Sequence, residues 1–189
     1  MQKTLKNPVE LKGIGLHSGC DVTLTIRPAP ENSGIIFKRV DLPGTPEVRA
    51  LYTSVKDTQN CTCIAAENGA VVSTIEHIMA ALSVCGITNA LIEVNNQETP
   101  IMDGSGKVFY EALKNAEIVE QQMPEKILRV MKEVSFVDAK GNKVTLSPAD
   151  DFYIDFEIDF PSKIVGHQTF SNKITPDIFE NEIAPCRTF

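Results

Sequence analysis

The chain has 189 residues, 42% of them hydrophobic and 23% charged, with a net charge of -7 and five cysteines. This composition excludes a disordered or fibrous chain and leaves room for one large domain or two small ones. The acidic balance and the scattered basic residues speak against a phosphate-gripping nucleic-acid surface, and no apolar run is long enough to cross a bilayer as a helix. Residues 1–6, MQKTLK, lead into a polar strand pattern and not a signal-peptide core. An odd cysteine count without framework spacing points to reduced thiols, so a cytoplasmic protein is expected.

In chain order, residues 22–27 (VTLTIR) alternate with period two, and residues 34–40 follow after the turn-rich 28–33. Both read as strands, consecutive in the chain. After a Pro/Gly loop at 42–46, a strand is predicted over 62–66, a turn at 67–69, a helix over 73–86, a strand over 89–94 and a second helix over 107–115. Strands and helices in this order indicate an α+β fold. A linker candidate lies at 120–125, and beyond it the opening pattern recurs. Val144-Thr145-Leu146 with Pro148-Ala149 echoes Val22-Thr23-Leu24 with Pro28-Ala29. The expectation is two related α+β domains, 1–122 and 127–189. The second copy of the buried helix would fall past the last residue, so the second domain is expected to be incomplete.

The helix at 73–86, STIEHIMAALSVCG, is apolar almost all round yet carries Glu76 and His77 side by side. A helix of that kind is usually buried, and a buried ionisable group needs a partner. Two readings stand open on pattern alone. In one, Ser73 and Glu76 form a capping box and His77 is a hydrogen-bonded core histidine. In the other, His77 is a metal ligand and Glu76 a base acting on activated water; the second His of a His-Glu-x-x-His motif is absent, because Ala81 stands in its place.

Other candidates complete no site. His17 lies in Gly13-Ile14-Gly15-Leu16-His17-Ser18-Gly19, whose glycines imply a tight turn or the close approach of another group. His167 reads as an exposed residue of a strand connection. Alternation would put the sulfurs of Cys61 and Cys63 on one face of a strand as structural thiols. Asp103, in Pro100-Ile101-Met102-Asp103-Gly104-Ser105, could cap the following helix or contact a site.

Taken together, the segments GIGLHSG (13–19), Asp57-Thr58 leading to Cys61-Thr62-Cys63, STIEHIMAAL (73–82), PIMDGS (100–105) and Arg187-Thr188-Phe189 closely resemble the UDP-3-O-acyl-N-acetylglucosamine deacetylase family, in order and over the whole chain. The resemblance implies a zinc-dependent amide hydrolase that removes acetate from UDP-3-O-(3-hydroxyacyl)-N-acetylglucosamine, the committed step of lipid A synthesis in Gram-negative bacteria. It implies two related α+β domains, each with helices layered on a mostly antiparallel sheet, no transmembrane segment, and a monomer when complete. Carried over by position, His77 matches a zinc ligand, Glu76 the general base for zinc-activated water, and Thr188 a threonine that stabilises the oxyanion. Leu16 and Cys61 match positions lining the site near the acyl passage, and Phe160 and Phe189 match aromatic residues near the uridine nucleotide. The remaining zinc ligands and a catalytic His are expected beyond Phe189, so this chain alone is expected to be inactive. Two rivals are a non-catalytic cytoplasmic α+β module, in which Glu76 only caps its helix, and a cysteine enzyme using Cys61 or Cys63 with His17.

Overall fold

The structure is a computed structural model that describes residues 1–188. The chain divides into two compact units, Met1–Glu125 together with residues 179–188, and Lys126–Ile178. The chain thus rejoins the first unit at Phe179, where the sequence pattern leads one to expect the second domain to continue. Among the described residues, no helix is long and apolar enough to cross a membrane.

The first unit is built on a five-stranded sheet of β2 (Val9–Ile14), β3 (Asp21–Pro28), β4 (Ile35–Arg39), β5 (Glu47–Arg49) and β9 (Ala90–Val94), in the order β2-β3-β9-β4-β5. The period-two pattern of β3 turns Val22, Leu24 and Ile26 into the core and leaves Asp21 and Arg27 exposed. β3 and β4 follow each other in sequence but do not pair, because β9 lies between them, antiparallel to β3 and parallel to β4. β9 can hold that central place because Ala90, Ile92 and Val94 are all fully buried. Its parallel pairing with β4 places a long crossover between the two strands, and that crossover carries α1 (Glu76–Val84).

Ile78, Ala81 and Leu82 of α1 and Phe109, Tyr110 and Leu113 of α2 (Lys107–Asn115) join the sheet residues in one apolar core. α1 is not buried all round: Ala80 and Ser83 are exposed, and Glu76 and His77 stand half-buried. A smaller antiparallel sheet, β6 (Val55–Asp57), β7 (Cys63–Ala65) and β8 (Val71–Val72), is attached to the core by Ile64 and Val72. β1 (Lys3–Leu5) pairs with β10 (Ile118–Glu120) and ties the start of the unit to the end of α2. A π-helical turn, Phe179–Ile183, buries Phe179 against Tyr110 with ring centroids 5.3 Å apart, and Lys114 and Tyr110 donate to Glu180 at 2.7 and 3.3 Å.

The second unit contains two antiparallel strand pairs, β11 (Val134–Val137) with β12 (Lys143–Leu146), and β13 (Tyr153–Asp159) with β14 (His167–Lys173). The repeated Val-Thr-Leu lies in β3 and in β12, each the second strand of an antiparallel pair. The fold is α+β, with few helices and several antiparallel sheets.

The return of the chain at Phe179 rests on an aromatic side chain in a filled core. Phe179→Ala should therefore lower the stability of the first unit by about 3–5 kcal/mol, the usual cost of an emptied aromatic site. Urea unfolding of parent and variant checks this, and a loss below about 1 kcal/mol, within the range of ordinary surface changes, would contradict it.

Candidate functional site

The start of α1 differs from a capping box. Its N-cap is Ile75, with no side-chain cap, and the Ser73 N–H donates to the Gln97 carbonyl at 2.8 Å. The Glu76 carboxylate turns instead to the small sheet, where Oε2 accepts the Thr62 N–H at 2.9 Å. Among the described residues Oε1 accepts no hydrogen bond. The His77 imidazole likewise has no hydrogen-bond or ion-pair partner there, so it is not a hydrogen-bonded core histidine. The start of α2 packs on α1 in ordinary contact: a Cβ at Gly106 would lie 3.9 Å from the His77 carbonyl oxygen.

Glu76 borders an open groove of about 240 Å³, walled by Leu51, Val55, Ile64, Ile75 and Met79 with Thr62 beside the carboxylate. Cys61 and Thr62 precede β7 in an irregular segment, so the expected strand alternation through Cys61 does not hold. The reason is that Thr62 turns its N–H to Glu76 and its carbonyl to the Ile75 N–H, leaving no ladder position for either residue. Burial, and after it the Cys61 thiol and the Asp57 carboxylate, push the Cys63 thiol up, and burial pushes Cys85 up to about 11. Raised thiols are the opposite of what a nucleophilic cysteine needs.

Leu16 is exposed on the glycine loop after β2. That loop is both tight and closely approached: Gly19 has φ +64, Gly13 lies against Pro100 and Met102, and a Cβ at Gly15 would overlap Ser18 Oγ and Glu98 Oε2. The approaching group is Glu98, a buried carboxylate that sequence reasoning did not single out. Its trace in the sequence was the demand for glycine at position 15, which does not say what comes close. His17 is exposed, and its backbone N–H donates to Glu98.

Thr188 belongs to the first unit. Its N–H donates to the Gly104 carbonyl at 2.9 Å, and Arg187 bridges Ser105. The receiving turn is shaped by Asp103, which accepts the Ser105 N–H and hydroxyl at 3.1 and 2.8 Å, while Ser105 Oγ accepts the Lys107 N–H at 3.2 Å. Asp103 therefore supports the α2 start through Ser105. The Ser105 hydroxyl, more than the opposing burial, holds its carboxyl below the ordinary range. Phe160 lies at the end of β13 in the second unit, 41% exposed. Phe189 lies outside the described residues. Glu76, His77, Leu16, Cys61 and Thr188 are thus all carried by the first unit.

Among the described residues, no three His, Cys, Asp or Glu side chains converge as a metal cage. His77, with both ring nitrogens unpartnered, fits as one ligand of a zinc ion and no more; a catalytic zinc usually takes three protein ligands.

The family model for UDP-3-O-acyl N-acetylglycosamine deacetylase matches residues 2–189. The whole chain aligns at 44% identity with UDP-3-O-acyl-N-acetylglucosamine deacetylase of Idiomarina loihiensis and at 45% with that of Hamiltonella defensa, covering 62% of each. It aligns at 43% with a protein of Porphyromonas gingivalis named bifunctional enzyme LpxC/FabZ, covering 40% of that longer chain. The chain thus spans less than two thirds of the length of these curated relatives.

The two glycines of the loop after β2 should respond differently to substitution. Gly15→Ala must displace the Glu98 carboxylate and should cost about 1–3 kcal/mol, as overpacking does. Gly19→Ala meets open space and should cost about 1 kcal/mol, for its positive φ alone. Chemical unfolding of both variants checks the order, which a larger loss at Gly19 would reverse.

Proposed function

Because the chain belongs to the UDP-3-O-acyl N-acetylglycosamine deacetylase family, we propose that it is the Glu76- and His77-bearing part of a zinc-dependent amide hydrolase. The substrate is UDP-3-O-(3-hydroxyacyl)-N-acetylglucosamine, the product amine is released with acetate, and the reaction serves lipid A synthesis in the cytoplasm. The observation that carries this reading is the Glu76 carboxylate at an open groove, with one oxygen anchored by the Thr62 N–H, and, among the described residues, no partner for its other oxygen or for the imidazole of His77 next to it in sequence.

Zinc, when bound, supplies a Lewis acid that lowers the pKa of a coordinated water to about 7 and polarises the amide carbonyl. His77 offers an imidazole nitrogen to the ion, and the remaining ligands are proposed to lie beyond Phe189. Glu76 takes the proton of the attacking water at the oxygen that Thr62 leaves free; the Thr62 N–H fixes the direction of that oxygen. As the water oxygen bonds to the acetyl carbon, negative charge gathers on the carbonyl oxygen. Thr188 donates its hydroxyl to that oxygen, and its backbone bond to Gly104 fixes the place from which it does so. When the C–N bond breaks, the proton that Glu76 took from the water passes to the nitrogen, which leaves as the amine. Leu16, Cys61, Phe160 and Phe189 are proposed to contact substrate.

Glu76→Gln separates a base from a merely structural acceptor. The amide oxygen can still accept the Thr62 N–H, so in the complete protein carrying this sequence fold and zinc content should persist while turnover falls by roughly 10² to 10⁴. His77→Ala should lose zinc together with activity. Thermal melting, metal analysis and turnover check both variants, and a Gln variant with parental turnover would sink the proposed role.

A further inference from the structure

Glu98 is 1% exposed, yet among the described residues no cation pairs with its carboxylate. It is surrounded by donors: the His17 N–H reaches both oxygens at 3.0 and 3.2 Å, the Ser18 N–H reaches Oε2 at 2.9 Å, and the Thr74 hydroxyl reaches Oε1 at 3.0 Å. Burial pushes its pKa up, but the bonds from His17, Ser18 and Thr74 outweigh that and leave it below the ordinary carboxylate value. A buried anion is tolerated only where hydrogen bonds replace its water. Gln would offer a single acceptor oxygen here and turn an NH₂ group towards other donors.

This carboxylate joins two segments that carry residues of the proposed site. On one side is the loop that carries Leu16. On the other is Thr74, two residues before Glu76. Thr74 has φ +59, a left-handed conformation that a β-branched residue rarely adopts. Such a residue persists where its surroundings over-determine it. Here the Thr99 hydroxyl donates to the Thr74 carbonyl at 2.5 Å, the Thr99 N–H donates to the Ser73 carbonyl at 3.1 Å, and Glu98 takes the Thr74 side chain. The direction in which the chain enters α1 is therefore set at Thr74.

We propose that Glu98 is a positioning residue for the reaction: its buried carboxylate joins the Leu16 loop to Thr74 and thereby fixes where the start of α1 stands, with Glu76 beside the groove and His77 next to it in sequence. It touches neither substrate nor metal. This inference rests on the roles proposed above for Glu76 and His77.

The test uses the complete protein carrying this sequence, with Glu98→Gln, Thr74→Val and, as reference, Glu76→Gln. Turnover of UDP-3-O-(3-hydroxyacyl)-N-acetylglucosamine is measured together with zinc content and amide hydrogen exchange over residues 15–19 and 74–79. Glu98→Gln should lower kcat by about tenfold or more with KM within about threefold of the parent, the split expected when reacting groups are misplaced and binding is not. Exchange should accelerate both in the loop and in the first turn of α1. Thr74→Val leaves the loop bonds in place, so exchange should accelerate only at the helix start, again with a lower kcat; this variant decides the matter if Glu98→Gln does not fold. Parental kcat in Thr74→Val or Glu98→Gln, while Glu76→Gln is inactive, would overturn the inference. Accelerated exchange confined to the loop in Glu98→Gln would overturn it too. Parental turnover in Glu76→Gln would instead overturn the function on which the inference rests.

Discussion

A carboxylate buried without a cation must be met by donors from several directions, and much of the first unit is arranged around that demand at Glu98. Two loop amides and one hydroxyl converge on it from segments 80 and 24 residues away in sequence. None of the three can move far without leaving the charge unsatisfied, which costs more than an ordinary hydrogen bond. The glycine at position 15, the left-handed Thr74 and the bridge between Ser73 and Glu98 are local consequences of the same contact.

From there the site is assembled outward by backbone groups more than by side-chain pairs. The Thr62 N–H orients Glu76, and the Gly104 carbonyl takes the Thr188 N–H. Backbone donors cost no side-chain entropy when they hold a group in place. The reacting groups proposed here, Glu76 Oε1 and the His77 imidazole, have no partner among the described residues. Orienting a catalytic group through one atom while its reactive atom stays free is what general-base chemistry at a metal site requires.

The parts of this arrangement that were legible in the sequence are those governed by short-range periodicity. The helix expected over 107–115 is α2, Lys107–Asn115, and the alternation of β3 separates core from surface residue by residue. What was not legible depends on distant chain. α1 begins at Glu76 and not at Ser73, because Ser73 is claimed by Gln97 and Thr99. β6 and β8 are too short to show a period. Cys61 leaves the strand pattern because Thr62 serves Glu76 and Ile75. The insertion of β9 between β3 and β4, and the return of the chain at Phe179, are choices of topology that no local window contains. Glu76 and His77 could be noticed by pattern, whereas a single buried acid such as Glu98 has no sequence signature beyond the glycine it excludes from substitution.

The central claim is a division of labour at the start of α1, with His77 holding the metal and Glu76 kept out of the ligand set by the Thr62 N–H. Anomalous X-ray diffraction at the zinc edge, from crystals of the complete zinc-loaded protein, tests it most directly. The account predicts zinc density at the imidazole of His77, with the Glu76 carboxylate still bonded to Thr62 and outside the coordination sphere. Zinc ligated by Glu76, or bound away from His77, would contradict it.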